Sequence, residues 1–308
     1  MTIPRVLSIA GSDSGGGAGI QADISTIAML GGHAMTAITA ITAQNTLGVT
    51  EVMPVPADMV LAQIEAVIGD IGVDAIKIGM IGSAETAAAV ADLLSPSALV
   101  GKGRGEGIER AASIAVSPNV EMQPARARFP SPNPLLQGER AFSVVFDPVM
   151  IATSGAVLAD EATISTFARL MRVASLVTPN IPELAALSAL PVSTEAEMQA
   201  AALVLAHRHE AAVLAKGGHF PGDALIDLLA LPDGTVHRWI GTRIETRHSH
   251  GTGCTLSSAI ACLLGAGLPL HDAISRARDY VRAALQAAPG LGQGHGPMGH
   301  GLGRSHFP

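Results

Sequence analysis

Residues 6–20 read VLSIAGSDSGGGAGI and contain the pattern that decides the fold. The apolar residues at the start predict a strand, the glycines predict a tight loop, and Ile20 begins a helical pattern. Short apolar runs and longer helical patterns alternate in this way along most of the chain, which predicts successive βαβ units. We therefore expect an α/β fold with a doubly wound, mostly parallel central sheet flanked by helices on both faces.

The same alternation predicts a single domain over residues 1–288, with one interruption. Residues 96–140 contain six prolines and six cations against four acids, in a chain whose net charge is −7. This composition favours an inserted surface segment, with a basic binding arm as the alternative. Seven glycines from Pro289 onward indicate a flexible tail over 289–308.

Composition and charge exclude several classes of protein. Hydrophobic residues make up 48% and charged residues 15% of the chain, which excludes a chain that is disordered throughout. An acidic chain without a basic stripe has no electrostatic footprint for nucleic acid. Glycines and polar residues interrupt the uncharged stretch 24–50, so we expect no membrane span.

Two features of the sequence predict a cytoplasmic location. The first residues contain only Arg5 and a short apolar run, so we expect neither a signal peptide nor a transit peptide. The two cysteines, Cys254 and Cys262, would lie roughly 12 Å apart on one helix, too far for a disulfide. Reduced cysteines suit the cytoplasm.

The glycine-rich run Gly11–Gly19 is the first candidate site, because glycines let backbone N–H groups approach a ligand. Two nucleotide-binding templates fail, since G-x-G-x-x-G needs glycine where Ile20 stands and the P-loop needs lysine where Gly17 stands. A ligand loop and a tight crossing without ligand both remain open, while a Rossmann oxidoreductase is disfavoured. Asp23 either faces the same crevice, caps the helix or is exposed to solvent.

A second candidate is the turn Gly251–Cys254, which precedes a predicted helix. The free N–H groups and positive dipole end of a helix start bind anions. Such a position also favours the thiolate of Cys254 over the thiol. The alternative is a small buried residue at a helix start.

Polar residues also follow three predicted strands, at Asp147, at Asn180 with Glu183, and at Lys216. The carboxyl ends of parallel strands share one sheet edge, where ligands bind in doubly wound folds. Carboxylates and a lysine converging there would suit magnesium, its water shell and a polyphosphate. The alternative interpretation makes Asp147 and Glu183 capping groups and Lys216 a solvated cation.

Together these motifs resemble the hydroxymethylpyrimidine/phosphomethylpyrimidine kinases of thiamine biosynthesis, a branch of the ribokinase-like superfamily. The segments that carry the resemblance follow the family's order across nearly the whole chain. They are Val6–Ser14, Gly15–Asp23, Thr42–Thr46, Lys77–Met80, Asp147–Met150, Asn180–Glu183, Lys216–His219 and His250–Cys254.

The resemblance implies a pyrimidine pocket with Gly11, Asp23, Gln44 and Met80 as substrate contacts. A carboxamide such as that of Gln44 donates to a ring nitrogen while accepting from an exocyclic amine. Met80 would offer an adaptable apolar surface to the flat ring.

The resemblance also implies which residues bind the phosphates and the metal. Lys216 would contact the ATP phosphates, and Asp147 would lie near the phosphates or the metal. Asn180 and Glu183 would organise magnesium. Gly251, Thr252 and Gly253 would form the anion hole. Cys254 follows them, at the position where many superfamily members have the aspartate that acts as the base.

The implied reaction is phosphorylation of 4-amino-5-hydroxymethyl-2-methylpyrimidine by magnesium-ATP, then of its monophosphate to the diphosphate. The implied partners are these small molecules and a second copy of the chain, as in a homodimer. One alternative is a pyridoxal or pyridoxine kinase of the same fold, against which Gln44 and Met80 favour the pyrimidine. Another is a non-catalytic pyrimidine-binding protein.

Overall fold

The computed structural model describes residues 2–95, 142–152, 155–220 and 222–302. The segment that we interpret as an insertion, 96–140, lies outside the described residues. The described strands are β1 (Arg5–Ala10), β2 (His33–Ile38), β3 (Ala40–Gln44), β4 (Val49–Pro54), β5 (Ala75–Ile78), β6 (Ser143–Phe146), β7 (Leu176–Val177), β8 (Ala212–Lys216), β9 (Ala224–Ala230) and β10 (Val236–Thr242). The described helices are α1 (Gly19–Met29), α2 (Ala57–Asp70), α3 (Ala84–Leu93), α4 (Glu161–Val173), α5 (Ile181–Ser188), α6 (Glu195–His209), α7 (Thr252–Gly265) and α8 (Leu270–Gln286).

Eight strands form the central sheet, in the order β10-β9-β8-β7-β6-β5-β1-β2. Every pairing from β2 to β8 is parallel, and β9 and β10 extend the sheet as an antiparallel hairpin. The strand order reverses direction between β1 and β5, because β2 lies on one side of β1 and the later strands of this sheet, β5 to β10, lie on the other. The predicted doubly wound, mostly parallel sheet is confirmed.

Two apolar clusters cover the two faces of the sheet. In β1, Leu7 and Ile9 belong to one cluster and Val6 to the other, as the two-residue period of a strand requires. Residues from α2, α3, α4 and α6 complete the first cluster, while α7 and α8 supply much of the second. Burial on both faces explains why the central strands read as apolar runs.

A small second sheet, β3 paired antiparallel with β4, departs from the alternation of strands and helices that the sequence predicts. β2 ends at Ile38 and the chain then leaves the main sheet. Ile41 is 48% and Met53 57% exposed, so their apolar side chains do not mark a core. This exposure is why the hydrophobic pattern alone did not reveal the hairpin.

The hairpin of β9 and β10 comes after Gly217, and it fixes the loop that follows Lys216. The N–H of Gly217 donates to the Asp227 carboxylate at 3.1 Å, and Arg278 binds the other oxygen of that carboxylate at 2.7 Å. A Cβ at position 217 would lie 1.9 Å from the carbonyl oxygen of Ile226, so glycine is required there.

Residues 289–302 differ from the expected flexible tail, because they pack along the domain. The hydroxyl of Tyr280 donates to the carbonyl of His300 at 2.8 Å, and the N–H of Gly294 donates to Thr46 Oγ1 at 3.3 Å. A Cβ at Gly294 would lie 2.1 Å from the Thr46 carbonyl oxygen. The glycines here permit close backbone approach. Residues 303–308 lie outside the described part of the chain.

Within the described ranges, none of the helices has the length and apolar character that a membrane crossing requires.

Candidate active site

The carboxyl edge of the parallel strands brings two groups of predicted residues together. One group surrounds the ends of β6, β7 and β8 and contains Asp147, Glu183 and Lys216. The other surrounds the ends of β1 and β5 and contains Gly11 and Met80. The amino end of α7 lies between the two groups, since Gly253 approaches the first and Gly251 approaches the glycine-rich loop of the second.

An ion pair between Lys216 and Asp147 forms the centre of the first group. Lys216 Nζ donates to Asp147 Oδ1 at 2.8 Å, and Thr178 Oγ1 donates to the same oxygen at 2.8 Å. A Cβ built on Gly253 would lie 3.2 Å from Asp147 Oδ2 and 3.3 Å from Lys216 Nζ. The start of α7 therefore faces this pair closely, as an anion site shared by a lysine and a helix terminus requires.

Lys216 is a cation at neutral pH in this environment. Burial by itself lowers the pKa of Lys216, but the negative charges of Asp147 and Glu183 outweigh burial and raise it. A fixed positive charge that is only partly accessible stabilises phosphate oxygens more strongly than one in bulk water does.

Glu183 and Asn180 form a capping box at the start of α5. The N–H of Glu183 donates to Asn180 Oδ1 at 2.9 Å, and the N–H of Asn180 donates to Glu183 Oε2 at 2.8 Å. Glu183 is therefore a helix-capping residue, and it also belongs to the charged group. Burial raises its pKa to about 7, with Lys216 lowering it and Asp147 raising it.

The donor set at this edge fits magnesium. Asp147 and Glu183 offer carboxylate oxygens, which are the hard ligands that magnesium prefers. The described residues contain no group of three or more His, Cys, Asp or Glu arranged to hold a metal ion. Magnesium commonly takes one or two carboxylates and completes its shell with water and substrate phosphates, so two carboxylates suffice. Asp147 and Glu183 are the residues that would hold it.

Glu183→Gln is expected to change how stability depends on pH. A carboxyl whose folded pKa is raised contributes stability below its unfolded pKa of 4.5, and this contribution is lost as pH rises through about 7. In metal-free protein the variant should match the parent near pH 4.5 and be more stable at pH 8, by about 2–3 kcal/mol. Thermal unfolding across this pH range measures the difference.

The control for Glu183→Gln is Glu197→Gln, which changes the equivalent residue of the second capping box, on α6. The hydrogen bonds of this capping box lie at the surface, so the substitution of Glu197 reports the effect of the capping change alone. Equal stability profiles for Glu183→Gln and the parent from pH 5 to pH 8 would contradict the raised pKa.

Gly251, Thr252 and Gly253 form the turn that starts α7, as predicted. Gly251 has φ +82° and is the N-cap, and Thr252 is the first residue of the helix. A Cβ at Gly251 would lie 1.9 Å from the carbonyl oxygen of Gly17. The turn and the glycine-rich loop are therefore in direct backbone contact.

Cys254 lies in the first turn of α7 and is partly accessible. Burial raises its pKa to about 11, while the charge of Lys77 lowers it and the charges of Asp23 and Asp147 raise it. The thiol is thus the stable form at neutral pH. This corrects the expectation that the thiolate is favoured, because burial of the thiol outweighs the nearby charge of Lys77. The role of Cys254 as a base stays a prediction.

Cys254→Ala is predicted to lower kcat by about 100-fold while changing pyrimidine affinity little, since general bases contribute about this much. With a pKa of about 11, a thiolate base makes kcat rise continuously from pH 7 to pH 10. The rise should disappear in Cys254→Ser and persist in Cys262→Ser, whose cysteine is buried elsewhere on α7. A flat pH profile in the parent would remove Cys254 from this role.

Asp13 organises the glycine-rich loop. Its carboxylate accepts the N–H groups of Gly15 at 2.8 Å, Gly17 at 2.9 Å and Ala18 at 2.8 Å. These N–H groups are therefore bound within the chain and do not form a phosphate cradle. This agrees with the failure of both nucleotide-binding templates. The arrangement supports assigning the loop to the substrate side of the site.

Gly11 and Met80 lie against each other, as the substrate-pocket prediction requires. The N–H of Gly11 donates to the Met80 carbonyl at 3.1 Å, and a Cβ at Gly11 would lie 3.0 Å from Met80 Sδ. Gln44 lies at the end of β3, after a register shift that re-aims the strand. Its backbone N–H and carbonyl both bind the hydroxyl of Ser14, at 2.8 Å each.

Asp23 differs from its predicted place in the substrate pocket. It is fully buried, and its carboxylate is surrounded by its own partners. Lys77 Nζ binds both oxygens at 2.8 and 3.0 Å, Ser8 donates at 2.5 Å and Ser258 donates at 2.6 Å. The geometry favours a structural anchor of α1 and α7 over a direct substrate contact.

Sequence reasoning missed His250 as a site residue. His250 Nε2 lies 3.0 Å from Asp13 Oδ2 and 2.9 Å from Gln44 Nε2. The signal available was its position immediately before the anion turn, within a segment that carries the resemblance. A lone histidine has no spacing pattern, so nothing in the sequence related it to partners more than 200 residues away.

The fold and site define the class of protein. A doubly wound sheet with a lysine, two carboxylates and a glycine turn at its carboxyl edge is that of the ribokinase-like phosphotransferases. The structure aligns with that of Bacillus subtilis pyridoxal kinase in complex with ADP, with a TM-score of 0.77, 27% identity and 99% and 100% of the two chains covered. It also aligns with phosphomethylpyrimidine kinase from Clostridium difficile, with a TM-score of 0.68, 30% identity and 91% and 99% covered.

Sequence comparison defines the family within this class. The model for phosphomethylpyrimidine kinase matches residues 13–100 and 134–299. The hydroxymethylpyrimidine/phosphomethylpyrimidine kinase of Rhizobium meliloti is 45% identical over 300 residues, 96% of each chain. The bifunctional thiamine biosynthesis protein ThiED of Geobacter sulfurreducens is 41% identical, and the match covers 96% of this chain but 52% of that protein. The chain belongs to the phosphomethylpyrimidine kinase family and is a phosphotransferase.

The family match also bears on the proposed domain limits. Its interruption over 101–133 lies inside the segment 96–140 and supports our proposal of an insertion. Its extension to residue 299 agrees with the packing of residues 289–302.

Proposed function

We propose that the chain transfers the γ-phosphoryl group of ATP to the hydroxymethyl oxygen of 4-amino-5-hydroxymethyl-2-methylpyrimidine. A second transfer to the resulting monophosphate then gives the diphosphate used in thiamine biosynthesis. The observation that carries this proposal is the contact between the two halves of the site, where Gly251 of the anion turn touches Gly17 of the substrate loop. A substrate held by Gly11, Gln44 and Met80 would have its hydroxyl beside the phosphate-binding turn.

Each residue of the charged group has a distinct part in the proposed reaction. The Lys216 cation stabilises charge on the transferring phosphoryl oxygens, together with the N–H groups at the start of α7. Asp147 orients Lys216 through the 2.8 Å bond. Magnesium, held by Asp147 and Glu183, would neutralise polyphosphate charge. Asn180 keeps Glu183 in place through the capping box.

Product analysis tests the proposed function most directly. The protein is incubated with ATP, magnesium and the pyrimidine alcohol, and the products are separated and weighed by mass spectrometry. Sequential appearance of monophosphate and diphosphate is expected. Monophosphate alone would restrict the function to the first transfer, and pyrimidine binding without any product would indicate a non-catalytic binding protein.

A pyridoxal kinase activity is the second candidate, because the Bacillus subtilis relative aligns over nearly the whole chain. The two activities are compared by kcat/KM with each alcohol under the same conditions. A value for pyridoxal at least equal to that for the pyrimidine would overturn the preference for the pyrimidine. The homodimer and the cytoplasmic location stay proposals, testable by analytical ultracentrifugation and cell fractionation.

A further inference from the structure

His250 connects the two halves of the site through one ring nitrogen. The residue is only 8% exposed, and it directly precedes the anion turn. Nε2 contacts both Asp13 Oδ2, at 3.0 Å, and the Gln44 carboxamide, at 2.9 Å. The backbone N–H of His250 donates to the carbonyl of Gly296 at 3.2 Å, which fixes the backbone that carries the ring.

The contact with Asp13 fixes the proton on His250. Asp13 accepts three backbone N–H groups, and hydrogen bonds outweigh burial to lower its pKa. Its ionised carboxylate has no proton to donate. Nε2 must therefore carry the hydrogen, and this holds whether the imidazole ring is neutral or charged.

A proton on Nε2 decides the orientation of the Gln44 carboxamide. Two donors cannot form a hydrogen bond at 2.9 Å, so the favourable arrangement turns the carboxamide by half a rotation and places Oε1 against His250 Nε2. Oε1 then shares the single Nε2 hydrogen with Asp13 Oδ2. Carboxamide oxygen and nitrogen have nearly the same shape, so this exchange needs no other movement.

Thr42 favours the same orientation independently. Its Oγ1 lies 3.4 Å from the terminal atom of Gln44 on the side away from His250, and donates its single proton to the Ser12 carbonyl at 2.9 Å. That hydroxyl can therefore only accept from Gln44. The carboxamide then directs its NH₂ toward Thr42 and its oxygen toward His250. The nitrogen has a second hydrogen and the oxygen a second lone pair, which a substrate could use.

We propose that His250 is a specificity-determining positioning residue, which acts by locking the donor and acceptor order of Gln44. This inference rests on the proposed function and deepens it. The locked carboxamide pairs with a pyrimidine that has an acceptor ring nitrogen beside a donor amine. A 4-oxo pyrimidine presents a ring N–H beside a carbonyl, which is the reverse order. The pocket rejects it because Gln44 cannot turn without losing both His250 and Thr42.

The test compares two substrates in three proteins. The probes are 4-amino-5-hydroxymethyl-2-methylpyrimidine and its 4-oxo analogue, and the proteins are the parent, His250→Leu and His250→Gln. The parent should prefer the amine by at least about 100-fold in kcat/KM, as sites that read hydrogen bonds do. His250→Leu should reduce this ratio at least tenfold, and His250→Gln should restore most of it through its own N–H donor.

Further variants keep the test decisive. His33→Leu removes an exposed histidine from β2 and should leave the ratio unchanged. If His250→Leu fails to fold, Thr42→Val removes the second contact in a shape-conserving way and should lower the ratio about two- to fivefold. An unchanged ratio, with kcat/KM reduced equally for both substrates, would show that His250 is only structural.

The outcomes separate this inference from the proposed function. If the parent phosphorylates neither pyrimidine, the proposed function fails, and calorimetric Kd values for the two compounds supply the ratio instead. If the parent phosphorylates the amine and every folded variant keeps its preference, the inference alone fails.

Discussion

Lys216→Met is expected to reduce kcat by about 1,000-fold while pyrimidine affinity changes less than threefold. Removing one preorganised donor from a site of developing negative charge costs about 100- to 1,000-fold. Lys216 adds a full charge, which lies beside the anion turn and 2.8 Å from Asp147. It does not belong to the group around Gln44 and Met80, so the ring-binding side should be unaffected. Single-turnover kinetics and calorimetry with the pyrimidine measure the two quantities separately.

The same substitution leaves Asp147 buried without its cation, so stability and catalysis must be distinguished. Breaking a buried ion pair by removing one partner costs about 3–5 kcal/mol, because an uncompensated charge stays behind. The double variant Lys216→Met/Asp147→Asn removes that charge and should recover much of the thermal stability. It should not recover kcat. A double variant with near-parental kcat would contradict the role of Lys216.

The fold was predictable because its signals are local. Strands that are buried on both faces read as apolar runs, and the carboxyl ends of parallel strands necessarily meet at one edge. Lys216 and Asp147 could be paired on this basis although 69 positions separate them. The β3–β4 hairpin was not predictable in this way, because its apolar side chains face outward and give no burial signal.

The sequence could not show how deeply a side chain is buried or which distant residues it contacts. Asp23 follows the glycine-rich loop as a substrate contact would, but its partner Lys77 comes from a strand 54 positions later and encloses it in the core. The glycines of 289–302 give the same composition whether they serve flexibility or close approach. The role of His250 depends on its contacts with Asp13 and Gln44, which the fold brings close to it.

Gly251→Ala is expected to lower kcat/KM for the pyrimidine by at least about 100-fold. The new Cβ would lie 1.9 Å from the Gly17 carbonyl oxygen, and the residue has φ +82°, which L side chains rarely adopt. Both the phosphate turn and the substrate loop must therefore move, and small misplacements of reacting groups cost about 100-fold in rate. Because the displacement affects both halves of the site, KM should rise and kcat should fall together.

The matched control is Gly234→Ala, which lies in the turn between β9 and β10 with φ +90° and has no atom within 4 Å of the new Cβ. Gly234→Ala has the same kind of backbone strain as Gly251→Ala, of order 1 kcal/mol, but it has no steric clash. Its kinetics should equal those of the parent at a slightly lower Tm. If Gly251→Ala behaved like Gly234→Ala, contact between the two loops would have no part in catalysis. A loss confined to Gly251→Ala would show that the phosphate and pyrimidine halves act as one assembled site.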